Sequence, residues 1–259
     1  MVSSRDVLAR IPQPRFPIPR STTGSVPPQA AATVMVVRPV AEADRELQVW
    51  LMQRHARMAF APNMAVFPGG KLDPIDRRAP DPLRACAVRE LAEETTLVLD
   101  PERLVPWARW ITPAIEPRRY DTWFYLAVVP SGTHLRDVSG EADDAFWITP
   151  AEALARSEAR TLALMPPTLA GLLELSDHDS TESLLQAAAQ RVVEPIRPVF
   201  VADGEQGRLE YPPVPADDPE YAVPLSTESV TGVEPSTPGE DHHVGSPVPR
   251  PGDPRRVGP

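Results

Sequence analysis

"AVFPGGKLDPIDRRAPDPLRACAVRELAEETTLVL", Ala65 to Leu99, joins a Phe-Pro-Gly-Gly turn to a helix that carries three carboxylates. Asp81 followed by Pro82 sets the start of that helix by two mechanisms: a side-chain oxygen caps free N–H groups, and a proline comes pre-set to helical φ. From there to about Thr95, Leu83, Ala87, Val88 and Leu91 share one side, whereas Glu90, Glu93 and Glu94 stand at i, i+3 and i+4 on another. One face is core and the other is acidic. Like charges at this spacing destabilise a helix by roughly 0.2–0.5 kcal/mol per pair, which Arg89 offsets only in part. Two readings stay open: a solvated acidic face, or a site where a hard divalent cation such as Mg2+ or Mn2+ removes the repulsion.

Working outward, "AAATVMVV" (Ala30 to Val37) and "LQVWLMQR" (Leu47 to Arg54) read as neighbouring strands. "NMAVFP" is a short strand that delivers the chain to Gly69 and Gly70, Thr122 to Pro130 is a further strand, and "AFWIT" is an edge strand. Thr149-Pro150-Ala151-Glu152 combines an N-cap, an N1 proline and an N3 glutamate, which predicts a helix over Pro150 to Ser157. Further helices are expected over Thr168 to Leu175 and from Asp179, with Glu182 at N3, followed by a hairpin between Ile196 and Tyr211 around an Asp-Gly turn. Periodicity ends near Ser226, and no repeats occur. The expected divisions are a flexible Pro/Arg-rich segment (1–28), a domain with a helical C-terminal part (29–200), a hairpin extension (201–225) and a disordered tail (226–259).

The 259 residues are 42% hydrophobic, enough for a sizeable core. A net charge of −10 and a pI near 5.0 repel phosphate polymers and anionic bilayers, so neither nucleic acid nor membrane is an expected partner. A small anion held through a metal is compatible with that balance. Cys86 is the single cysteine; it excludes an intrachain disulfide framework and points to a reducing, cytoplasmic compartment. No apolar run approaches the ~18 residues needed to span a bilayer. The first 25 residues are rich in Arg and Ser, but Pro12, Pro14, Pro17 and Pro19 would break the amphipathic helix of a transit peptide.

Gly69-Gly70, a loop and then "RELAEE" together resemble the Nudix box, G-x5-E-x7-R-E-U-x-E-E-x-G-U with U aliphatic. The resemblance implies a Nudix hydrolase of α/β (α+β) class: an α/β/α sandwich with a mixed sheet, here with extra C-terminal helices and a hairpin. Such enzymes use Mg2+ or Mn2+ to cleave a nucleoside diphosphate linked to another group. Carried over by position, Glu90, Glu93 and Glu94 are the implied metal ligands, Gly69 offers its carbonyl, and Arg89 orients the first glutamate. Gly70 to Arg89 is five residues longer than the pattern. Counted back from Arg89, Asp81 takes the place of the first box glutamate, where its capping role competes. Thr96 replaces the family's glycine, and because a β-branched residue at positive φ is strained, a different turn is expected there. In many members another carboxylate lies in a loop before a strand tryptophan. Glu141 precedes Trp147 by that six-residue step, with Asp143 and Asp144 as competitors.

Leu51 to Asp76 resembles the segment before the box in the coenzyme A diphosphatase branch. Arg54, Phe67, Asp73 and Asp76 match in place, while His55 and Asn63 replace a serine and a glycine. "ITPAIEPRRYDTWFYLA" and "LMPPTLAGLLEL" resemble the peroxisomal acyl-CoA type, and the likeness covers about Ala30 to Leu175. Arg54 is an implied substrate contact. Arg118 and Arg119 read either as surface charge or as a fork for a phosphate. His55 reads as a strand-end surface residue, and Trp107, Trp110 and Trp123 read as core before adenine stacking. The implied chemistry is attack of water on a diphosphate phosphorus, with Glu93 and Glu141 as alternative bases. The expected partner is a small nucleotide diphosphate: coenzyme A or acyl-CoA first, NADH or a sugar nucleotide as alternatives. A homodimer is the assembly to look for. The rival class is a non-catalytic Nudix-like binding module, but such modules commonly lose the glutamates retained here.

Overall fold

Val34, Met35, Val36 and Val37 are all 0% exposed, so their strand is covered on both faces and divides the core in two. The computed structural model describes residues 6–17, 26–40, 46–58 and 61–218. The expected tail lies outside them. In chain order the strands are β1 (Phe16–Pro17), β2 (Gln29–Pro39), β3 (Leu47–Arg54), β4 (Met64–Val66), β5 (Gly69–Lys71) and β6 (Val105–Ile111). They continue with β7 (Tyr120–Val128), β8 (Ala142–Ile148), β9 (Ala163–Leu164), β10 (Pro195–Ile196), β11 (Val199–Asp203) and β12 (Gln206–Glu210). The α-helices are α1 (Pro82–Thr95), α2 (Pro150–Glu158), α3 (Pro166–Leu175) and α4 (Thr181–Ala189).

The main sheet runs β10-β6-β7-β2-β3-β4-β9, with β5 also on β2 and β8 on β3. It is mixed. β2 and β7 are parallel from Gln29 and Tyr120 to Val37 and Val128, whereas β2 pairs antiparallel with β5 at one end and β3 at the other. Side chains alternate along β2: Ala32, Val34 and Val36 share a core with Leu83, Ala87 and Leu91 of α1. Met35 and Val37 point the other way, into a core with Leu172, Leu175 and Leu184 of α3 and α4. The result is the α/β/α sandwich. β8 pairs with β3 alone and forms an edge, as its sequence implies.

Helix starts follow their capping chemistry. Asp81 Oδ1 accepts from the Arg84 N–H at 3.1 Å and Thr149 Oγ1 from the Glu152 N–H at 3.1 Å. Two starts shift. The cap of α4 is Ser180, whose hydroxyl accepts from the Ser183 N–H, and not Asp179. α3 begins two residues before Thr168 because Pro166 and Pro167 are already confined to helical φ. The hairpin of β11 and β12 turns at Gly204, with φ at +66°.

The larger correction concerns the first 28 residues. Val7, Leu8 and Ile11 are buried in the core beside α3 and α4, and β1 adds to β12 through Phe16 and Gly207. Arg10 reaches Asp177 at 2.6 Å. Residues 6–17 are therefore a packed strap, because three apolar side chains on one turn outweigh the prolines that follow. Among the described residues no helix is long and apolar enough to cross a membrane.

Candidate active site

β5 is clamped to the central strand by pairs Ala31–Lys71, Ala32–Gly70 and Thr33–Gly69, which fixes the two glycines under α1. At Gly70 a Cβ would lie 2.4 Å from Oε1 of Glu90, so only glycine lets that carboxylate approach the backbone. The Gly69 N–H donates to Glu94 Oε2 at 2.8 Å. Glu94 is 7% exposed, Glu90 is half-buried, and the Glu93 side chain is 60% exposed. The acidic face thus runs from core edge to solvent.

Arg89 organises these acids. Its Nε and Nη2 hold both oxygens of buried Asp76 at 3.0 and 2.8 Å, while Nη1 reaches Glu90 at 2.9 Å and Glu93 at 3.0 Å. Asp76 Oδ2 also accepts from the Asp73 N–H at 2.8 Å. Counted forward from Gly70, Asp76 stands where the box pattern has its first acid, with the five extra residues after it. Asp81 is spent on its helix cap.

The charges are unevenly compensated. Burial pushes the Glu94 carboxyl up to about 8, and Glu90 and Glu141 add to that while the Gly69 N–H opposes it. Glu90 is raised for the same first reason, partly countered by Arg89. Burial also raises Asp76, but the Arg89 bonds outweigh it and hold its carboxyl below the usual range. Burial drives the Cys86 thiol to about 12, so it stays a thiol.

Glu141 reaches the same place from the end of the loop before β8. Its side chain is 48% exposed, it acts on Glu94 through space, and Arg54 Nη2 stands 3.5 Å from its Oε2. Arg54 Nε is buried and meets no acceptor among the described residues. The competitors are engaged elsewhere: Asp143 pairs with the His55 ring, and Asp144 Oδ1 accepts from the Ala145 N–H. His55 also donates its N–H to the Glu141 carbonyl.

Arg119 corrects the phosphate-fork expectation. Its side chain is 2% exposed and donates to the carbonyls of Thr112 and Val26, so its guanidinium builds the loop before β7. Arg118 is exposed. Trp107 and Trp110 are buried, while Trp123 is half-buried and stacks on Tyr125 with centroids 6.5 Å apart. Two departures from family glycines share one explanation. Thr96 adopts φ +65° after all, closing α1 with its N–H on the Ala92 carbonyl, and Asn63 sits at φ +59°. The glycine backbone is kept at both places; asparagine tolerates it readily and threonine at a cost.

Five carboxylates, from Asp76, Glu90, Glu93, Glu94 and Glu141, therefore face the guanidinium groups of Arg89 and Arg54. Among the described residues no three acid, histidine or cysteine side chains are gathered to hold an ion as they stand. Arg89 and the Gly69 N–H occupy oxygens that an ion would take. The donor set still fits a hard divalent cation, because every candidate ligand is oxygen and Gly70 leaves a cradle that a Cβ would fill.

The NUDIX domain profile matches residues 28–167. Putative nudix hydrolase 7 of Caenorhabditis elegans is 31% identical over 164 residues, covering 50% of this chain and 56% of that protein. Acyl-coenzyme A diphosphatase NUDT19 of Gallus gallus is 28% identical over 184 residues, covering 65% of this chain and 48% of that protein. The chain spans about half the length of the curated relatives it matches. Among solved structures, the NUDIX hydrolase from Alicyclobacillus acidocaldarius superposes with a TM-score of 0.56 at 25% identity, covering 65% of this chain and 98% of that one.

Proposed function

Because the chain belongs to the NUDIX family, we propose that it hydrolyses a diphosphate bond in a nucleoside-diphosphate-linked substrate, with coenzyme A or an acyl-CoA as the substrate class. The observation that carries the reading is the surplus of carboxylates at Gly69 and Gly70, which a soluble fold has no reason to concentrate unless a cation and a phosphate join them. Glu90, Glu93, Glu94 and the Gly69 carbonyl would hold Mg2+ or Mn2+, which when bound neutralises the diphosphate oxygens and lowers the pKa of a water. Arg89, anchored by Asp76, keeps Glu90 and Glu93 in place. Glu93 or Glu141 takes the proton of the attacking water; both lie at the solvent side of the cluster, where a water can enter. Arg54, whose Nη2 stands 3.5 Å from Glu141 at the solvent side of the cluster, contacts the substrate's charged groups, and Arg118 stands exposed just before β7.

The coenzyme A assignment is supported by the relation to the avian acyl-CoA diphosphatase and by Arg54, Phe67, Asp73 and Asp76 in the segment before α1. His55, standing for the branch's serine and paired with Asp143, departs from that branch and leaves NADH or a sugar nucleotide as the alternative. A panel of coenzyme A, acyl-CoA, NADH and sugar nucleotides with and without Mg2+ tests both. Metal-dependent release of 3′,5′-ADP and phosphopantetheine from coenzyme A is expected; preference for another member overturns the branch, and no hydrolysis of any overturns the enzyme.

A further inference from the structure

The loop between β7 and β8 runs from Val129 to Glu141 without regular structure, yet its last residue has to be placed against α1. Long loops reach a fixed geometry only where specific bonds tie them down. The Val138 N–H donates to the Glu94 carbonyl at 3.1 Å, the backbone N–H of His55, just after β3, donates to the Glu141 carbonyl at 3.0 Å, and farther back in the loop Arg38 Nη1 on β2 donates to the Thr133 carbonyl at 2.7 Å. The first of these uses a carbonyl that the helix end leaves without an intrahelical partner. Between the ties lies a short relay. Asp137 Oδ1 accepts from both the N–H and the hydroxyl of Ser139, at 3.0 and 2.7 Å, and Ser139 Oγ in turn accepts from the Glu141 N–H at 3.1 Å. Gly140, at φ +69°, makes the bend between them.

A hydroxyl has one proton to give. Because Ser139 spends it on the anionic Asp137, its lone pairs are left facing the Glu141 N–H. The Glu141 side chain is half exposed and, among the described residues, pairs with Arg54 at 3.5 Å, so its position is set by its backbone more than by its carboxylate. Ser139 is the side chain that bonds to that backbone.

We propose that Ser139, oriented by Asp137, is a positioning residue for Glu141. The inference rests on the reading of Glu141 as part of the hydrolytic site. Its energetic signature differs from a structural role, since the Glu141 N–H is near solvent and water can replace the lost acceptor. Removing the hydroxyl therefore costs little stability and is felt in turnover, where a displacement of about 1 Å costs up to 10²-fold.

The test combines Ser139→Ala, Ser139→Thr and Asp137→Ala with Glu141→Gln, using coenzyme A and NADH with Mg2+ as probes. Ser139→Ala is expected to lower kcat about 10-fold with KM and melting temperature nearly unchanged. Ser139→Thr restores turnover, and in the Glu141→Gln background Ser139→Ala adds nothing. Amide exchange in the 137–142 segment, read without substrate, rises in Ser139→Ala and Asp137→Ala and not in Ser139→Thr. A silent Ser139→Ala beside a damaging Glu141→Gln overturns the positioning role alone, as does an equal loss in both backgrounds or unchanged exchange. A silent Glu141→Gln in an active enzyme overturns the role of Glu141, and this inference with it.

Discussion

Two sets of buried or half-buried acids lie under opposite faces of the sheet, and they are built differently. Beneath α3 and α4, Glu174 is closed off: the Arg191 guanidinium pairs with one oxygen, the Trp107 indole N–H donates to the other at 2.8 Å, and Arg191 also lies over the Trp107 ring at 4.3 Å. Every oxygen has its donor. Beneath α1, Glu94 has one backbone N–H for one oxygen, and Arg89 is divided among Asp76, Glu90 and Glu93. Burial raises the pKa of Glu174 and Glu94 alike, so burial alone does not separate them. Compensation does. A buried acid with its own cation holds elements together, whereas acids that outnumber their cations are left under-compensated, which is what the proposed function uses.

That contrast breaks most readily at Glu93. Glu93→Gln should lower kcat by about 10²–10⁴-fold while leaving the melting temperature unchanged or slightly raised, since one repelling charge is gone. Equal turnover would make the acidic face mere surface. Glu174→Ala should do the reverse, costing about 3–5 kcal/mol because Arg191 is left buried and unpaired, with kcat of the folded fraction kept; a denaturant titration beside an assay decides it. Mg2+ at about 100-fold over its Kd should stabilise the wild type by about 2.7 kcal/mol and Glu93→Gln much less, whereas an equal shift in both would place the ion elsewhere. Asp76→Asn loosens Arg89 and should weaken Mg2+ activation about 10-fold; an unchanged Mg2+ titration would return the first-acid role to Asp81. Smallest is Thr96→Gly, which relieves the left-handed strain and should stabilise by about 1 kcal/mol with activity intact. A lower melting temperature would show that the threonine side chain is needed at that turn.

What was legible in the sequence follows from how local the physics is. The caps at Asp81 and Thr149 depend on residues within four positions, and the pairing of β2 with β3 and the α1 bounds come out as read. The acids on α1 were likewise visible, because three glutamates on one helix face need no tertiary information. Asp76 was hidden by an insertion whose placement the spacing leaves ambiguous; counting back from Arg89 led to Asp81, and the bidentate contact to Asp76 exists only in three dimensions. Arg119 and the strap at residues 6–17 were misjudged for the same reason. Their partners, Val26 and the α3 surface, are set by long-range folding that charge and proline content do not report.

The strap has a consequence for how the chain is made. Phe16 and Pro17 pair with Gly207 and Gln206, so the first described strand meets its partner about 190 residues later. Val7, Leu8 and Ile11 likewise join a core that is complete only once Leu172, Leu175 and Leu184 have been made. During synthesis these side chains leave the ribosome well before their partners do and stay unshielded until those follow, a window in which an apolar segment is open to chaperones or to self-association. Closing a loop of that length costs about 4–5 kcal/mol of chain entropy on a logarithmic scale. That cost falls once, at the first long-range contact, so strap and hairpin should gain protection from hydrogen exchange in a single late step.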